Sequence, residues 1–212
     1  PDDAFVVFSP RQMQELYNID VIIGSIPEVL KHYPNTIFLL KDTFRNTPER
    51  EAYVETLKAK VDEIGVSHAV RWVDQVPYEE LPLYFHLSDV VVSIPTTDGM
   101  PVTFFDAMAC QKPLIVGDLP SYDRIITHEQ TGLRIPLHDA FALADAINKL
   151  QESPTFANEL VQSSQKILQQ YGIFDDQMLK METLYQDLAN TPVSKLSPLS
   201  PTKLTFDLLT HC

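Results

Sequence analysis

Short runs of apolar, β-branched residues alternate with longer stretches whose apolar positions recur every three to four residues. Ala4-Phe5-Val6-Val7-Phe8-Ser9 is the first such run and reads as a buried strand. Thr36–Leu40, Ala69–Val73, Asp89–Ile94, Leu114–Gly117 and Leu133–Ile135 repeat the pattern. The spacing between them predicts helices over Asp20–Lys31, Pro48–Ile64, Tyr78–His86 and Val102–Cys110. Three more helices are predicted after the sixth strand: Asp139–Leu150, Phe156–Tyr171 and Phe174–Leu188. Pro27 is expected to kink or restart the first helix. Pro48 and Gly65 bracket the second in the usual way, proline at the start and glycine past the end. The last helix carries Phe174, Met178, Met181, Leu184, Tyr185 and Leu188 on one face, with its methionines expected in the core.

Strands that are apolar along their whole length and alternate with helices form a parallel sheet covered on both faces. Right-handed crossovers make the expected α/β fold a doubly wound, Rossmann-like sheet of about six strands. Ligands of such sheets lie at the carboxyl ends of the strands, which here follow Ser9, Leu40, Val73, Ile94 and Gly117.

Composition narrows the chemistry. The 212 residues are 44% hydrophobic, enough for a real core. The net charge of −13 disfavours a partner bound along a phosphate backbone, so no nucleic acid is expected. A small phosphorylated ligand stays compatible, because a few local donors outweigh the global charge. Cys110 and Cys212 are the two cysteines and make neither a disulfide framework nor a paired-cysteine zinc site. Cys110 reads as a small buried residue, and the histidines show no metal spacing. No apolar run reaches the ~18 residues of a membrane span, and no signal peptide is visible, so a cytoplasmic setting is expected. The chain opens on Pro1 and is expected to be a fragment. Residues 1–189 are expected to form one domain, and the Ser/Pro-rich residues 190–212 a flexible tail.

The informative segment follows the fourth strand: Thr96-Thr97-Asp98-Gly99-Met100-Pro101-Val102-Thr103-Phe104-Phe105-Asp106-Ala107-Met108-Ala109-Cys110-Gln111-Lys112-Pro113. A strand ends, an acid and a glycine follow, and a helix begins. Gly99 lets a ligand approach the backbone closely. The free N–H groups at the start of the helix form an anion site suited to a diphosphate. Asp98 flanks that site, and Asp106 lies further into the helix. Two carboxylates around an anion site suit a ligand with hydroxyls on either side of a diphosphate.

The segment resembles the E-x7-E donor motif of the retaining glycosyltransferases of family 4, the group 1 transferases of the GT-B fold. Here the motif is Asp98-x7-Asp106, followed by Ala107-Met108-Ala109-Cys110. Ser9-Pro10-Arg11 stands where the family has Gly-Arg, and Leu87-Ser88-Asp89-Val90 and His128-Glu129-Gln130-Thr131-Gly132-Leu133 also match in order. Arg71-Trp72-Val73, Val76-Pro77 and Leu81 resemble the family's strand and turn near the base. The resemblance covers Phe5 to Leu188 and implies the carboxyl-terminal, donor-binding half of such an enzyme, with an amino-terminal acceptor domain missing. It implies that Asp98 bonds the sugar hydroxyls and Asp106 the ribose hydroxyls. Gly99, Met100, Pro101, Val102 and Thr103 form the segment whose backbone N–H groups meet the sugar and diphosphate, while Arg11 neutralises the leaving diphosphate. No metal and no cofactor are implied, only a nucleoside diphosphate sugar as donor substrate and a glycan or lipid-linked acceptor. Contact with the inner face of a membrane is expected to run through the missing half. The chain departs from the family in having Asp for both Glu, no Lys shortly after Arg11, and Pro120-Ser121 and Arg124 in place of a Gly-Gly and a Glu. Lys41, Lys112 and Arg124 are the candidates for the second cation.

Three other functions compete. A non-catalytic module binding a nucleotide sugar or a partner fits the shortened acids and the absent Lys. An oxidoreductase needs G-x-G-x-x-G after the first strand, where this chain has Ser9-Pro10-Arg11-Gln12. A nucleotide-sugar epimerase of the same fold differs only in product.

Overall fold

A computed structural model describes residues 3–42 and 47–191. Six strands pair into one parallel sheet: β1 Phe5–Ser9, β2 Thr36–Lys41, β3 Val70–Val73, β4 Val90–Ser93, β5 Leu114–Gly117 and β6 Leu133–Ile135. Their order is β3-β2-β1-β4-β5-β6. Val7 and Phe8 of β1 pair with Phe38 and Leu39 of β2 on one side and with Val90 and Val91 of β4 on the other. The chain therefore leaves β1 for one half of the sheet and enters the other half at β4. The crevice between these two strands is the topological switch point, where doubly wound sheets bind ligands.

Among the described residues the α-helices are α1 Ile19–His32, α2 Pro48–Glu63, α3 Leu81–Leu87, α4 Val102–Ala109, α5 Ala140–Glu152, α6 Pro154–Ile167 and α7 Phe174–Asn190. Adjacent strand residues point to opposite faces, and both faces are apolar. Val7, Val92 and Ile115 join a cluster with Ile22, Ile26 and Leu143. Phe8, Val91 and Val116 join a second cluster with Phe85, Phe104 and Tyr122. This two-sided burial explains why the strands read as continuous apolar runs.

Local chemistry sets the helix boundaries. Thr47, Asp139 and Ser153 accept from the backbone N–H of Arg50, Ala142 and Phe156 and cap α2, α5 and α6. Gly65, at φ 75°, follows the end of α2 in a left-handed conformation. Pro27 does not restart α1, which runs unbroken through it. Fully buried Ile22, Ile23, Ile26 and Val29 anchor the helix on both sides of that proline. Short 3-10 turns at Glu15–Tyr17, Ser67–Ala69 and Pro120–Tyr122 are additions to the predicted elements. The sixth helix ends at Ile167 and gives way to a π turn over Leu168–Gly172.

One compact unit ends at Gln170 and a second begins at Tyr171. In the second unit no residue of α7 is buried, so the expectation that its methionines lie in the core is corrected. The described part of that unit is essentially one helix and has no second apolar layer to cover the stripe. The expected flexible tail falls, from Pro192 on, outside the described residues. Among the described residues no helix is long and apolar enough to cross a membrane.

Candidate functional site

Two loops meet at the switch point. One leaves β1 and carries Arg11, and the other leaves β4 and carries Asp98. Asn18 joins them. It is buried, adopts the left-handed conformation that Asn tolerates, and donates its side-chain amide to the Ile94 carbonyl at 2.7 Å. Its amide also reaches Thr96 Oγ1 at 3.3 Å, and the Thr96 N–H donates to the Leu16 carbonyl at 2.8 Å. The two loops are thus stitched into one rim.

On this rim the structure brings together two of the expected residues. An Arg11 guanidinium nitrogen lies 2.8 Å from Asp98 Oδ2, with side chains 12% and 20% exposed. The guanidinium carbon of Arg11 lies over the Tyr17 ring, 4.3 Å from its centroid. The Tyr122 hydroxyl makes a long contact of 3.4 Å to the same Asp98 oxygen. Burial, and then the Asp98 carboxylate, push the Tyr122 phenol well above its usual range, so it stays a donor. Its ring meets Phe104 of α4 edge-on, with centroids 4.8 Å apart. Tyr17, Asn18 and Tyr122 carry no motif in the sequence. They become recognisable only when the two loops are placed side by side.

The start of α4 behaves as expected in part. A Cβ built on Gly99 meets nothing within 4 Å, so this backbone faces open space. The Gly99 N–H is already used, donating to Asp98 Oδ1 at 2.9 Å. Pro101 has no N–H to give; it is the N-cap residue, and its carbonyl accepts from the Phe104 N–H at 3.1 Å. The N–H groups of Met100, Val102 and Thr103 have no acceptor among the described residues, and Met100 and Val102 are exposed. They are the orphan donors of a helix start and can receive an anion.

Asp106 lies one turn into α4 and faces a separate depression of about 160 Å³, walled by Tyr78, Leu81, Phe85 and Cys110. Its side chain has no hydrogen-bonding partner among the described residues, and partial burial raises its pKa. A half-buried carboxylate without a donor is a ready acceptor for ligand hydroxyls. Cys110 is half-buried rather than buried, because it lines this depression. Burial and the neighbouring Asp106 push its thiol up, away from the nucleophilic thiolate.

The three candidate second cations are placed differently. Lys41, at the carboxyl end of β2, is buried and donates to the Asp42 carbonyl at 3.2 Å; burial lowers its pKa. Lys112 precedes β5, at the opposite edge of the sheet, and donates to the His86 carbonyl at 3.1 Å. Arg124 is exposed, follows the turn that holds Tyr122, and has no side-chain partner among the described residues.

Known proteins share this fold. Residues 1–167 match the family model described as glycosyl transferases group 1. A GDP-mannose-dependent α-(1-6)-phosphatidylinositol monomannoside mannosyltransferase of Mycolicibacterium smegmatis is 24% identical over 142 residues, 64% of this chain and 35% of that protein. The α-monoglucosyldiacylglycerol synthase of Acholeplasma laidlawii is 21% identical over 92% of this chain and 47% of its own length. The chain therefore spans less than half the length of these relatives. Among solved structures, sucrose-phosphate synthase from Thermosynechococcus elongatus superimposes with a TM-score of 0.80 at 24% identity, over 89% of this chain and 46% of that one. HepE of Anabaena, in complex with UDP and glucose, gives a TM-score of 0.76 at 18% identity, over 87% of this chain and 49% of that one. The carboxyl-terminal domain of a group 1 transferase from Francisella tularensis gives 0.73 at 16% identity, over 80% of this chain and 87% of that domain. The fold is that of a GT-B glycosyltransferase domain, and the chain belongs to the group 1 glycosyl transferases.

Proposed function

We propose that this chain is the donor-binding half of a retaining, metal-independent glycosyltransferase that moves a sugar from a nucleoside diphosphate to a glycan or lipid-linked acceptor. The observation that carries the reading is the meeting at one switch point of a cation, a carboxylate and unpaired backbone donors, with a second, unpartnered carboxylate one turn along α4 in its own depression. Asp98 receives the sugar hydroxyls. Asp106 receives the ribose hydroxyls, about 6 Å further along α4 than its first residue at roughly 1.5 Å per residue. The N–H groups of Met100, Val102 and Thr103 face the diphosphate between them.

When the bond from sugar C1 to the phosphate oxygen breaks, negative charge builds on the leaving diphosphate. Arg11 and the start of α4 are aimed where that charge develops, which is the largest contribution a protein makes to such a step. These groups supply the electrostatic role a metal ion would otherwise fill, which supports the metal-independent reading. GDP-mannose carries its mannose in α linkage and the name of the Mycolicibacterium relative gives an α product, which supports retention. An amino-terminal acceptor domain completes the cleft, excludes water and brings any contact with a membrane surface.

The test is transfer by the complete enzyme from UDP- and GDP-sugars. NMR should show a product with the donor's anomeric configuration, formed at the same rate in EDTA and lost with Asp98→Ala. An inverted product, or activity that EDTA abolishes and a divalent cation restores, contradicts the proposal.

A further inference from the structure

The two groups expected to meet different parts of a donor are bonded to each other. Arg11 holds Asp98 Oδ2 at 2.8 Å, and the Gly99 N–H holds Oδ1 at 2.9 Å. Both oxygens of the carboxylate are therefore engaged. The pair is largely withdrawn from water, so it is screened far less than a surface ion pair. Tyr17 backs the guanidinium, and Tyr122 reaches the same oxygen that Arg11 uses. A diphosphate that needs Arg11 must take it from Asp98.

We infer that Asp98 is a specificity-determining residue that makes Arg11 available to a diphosphate only when a sugar is attached, so that the site discriminates the intact donor from the spent nucleotide. This rests on the donor-site reading above. A sugar hydroxyl donates to Asp98 Oδ2 and replaces the guanidinium there, and Arg11 turns to the phosphates. A bare nucleoside diphosphate brings no such hydroxyl. It must break the pair without compensation and then sits beside an unshielded carboxylate of its own sign. Sugar and diphosphate are thereby coupled through one ion pair, which favours donor entry and nucleotide release.

The experiment is calorimetric titration of the chain with UDP, UDP-glucose, GDP and GDP-mannose, in wild type and in Asp98→Asn. Wild type should bind the sugar-bearing form of its nucleotide about fivefold or more tightly than the bare form. Asp98→Asn should bind the bare diphosphate about fivefold more tightly than wild type does, and the preference for the sugar should vanish. Asp98→Ala, which also frees Arg11, should move bare-nucleotide affinity in the same direction; it replaces Asp98→Asn if near-UV circular dichroism shows the latter misfolded. Wild type that binds none of the four overturns the donor-site reading itself. Wild type that binds, with variants that bind the bare diphosphate no more tightly, overturns the coupling and leaves the donor site standing.

Discussion

Arg11→Ala is expected to lower sugar transfer by the complete enzyme about 10²–10³-fold, the usual loss when one donor aimed at developing negative charge is removed. The loss should fall mainly on kcat, because the charge on the leaving diphosphate is greatest in the transition state. Two of the three candidate second cations are already engaged elsewhere. Lys41 is buried on its neighbour's carbonyl, and Lys112 lies at the opposite edge of the sheet. Arg124 is exposed and close to the same turn in sequence, so the double variant with Arg124→Ala shows whether it shares the work. Steady-state kinetics with unchanged kcat in Arg11→Ala would remove leaving-group stabilisation from this residue.

Phe104→Ala should cost about 3–5 kcal/mol of folding free energy, the range for deleting a fully buried aromatic side chain. Phe104 is fully buried on the inner face of α4 and packs edge-on against Tyr122. Its loss leaves a cavity where α4 meets the turn after β5. Tyr122 also touches Asp98, so the same change loosens the carboxylate from behind. Val102→Ala, two residues earlier on the same helix, should stay within about 0.5 kcal/mol because its side chain is exposed. Urea denaturation of the two variants checks the contrast. A loss below about 1 kcal/mol for Phe104→Ala would mean that α4 is held by something other than this cluster.

The fold was legible because burial on both faces leaves long apolar runs, as in β1 and β4, that read as strands without any partner in view. The helix start at Val102 was equally plain, since Asp98-Gly99 ends the strand's reach and the periodic apolar positions begin after Pro101. Arg11 and Asp98, however, stand 87 positions apart, and their ion pair comes from the adjacency of β1 and β4. Adjacency also creates the roles of Tyr17, Asn18 and Tyr122, none of which has a distinctive neighbour in the chain. The methionine stripe of α7 shows the converse: helical periodicity marks a face, but what covers that face is not written in the periodicity.

The central claim is that the carboxyl edge at the β1–β4 switch point binds a nucleoside diphosphate sugar through Asp106 and the start of α4. Calorimetric titration of the 212-residue chain with nucleotide sugars, in wild type and Asp106→Ala, tests it most directly. Saturable binding of one nucleotide class, lost in the variant while its thermal unfolding stays unchanged, is the predicted result; a millimolar Kd, about −4 kcal/mol, is enough to read it. Binding that Asp106→Ala leaves intact, or no binding by wild type, would contradict it.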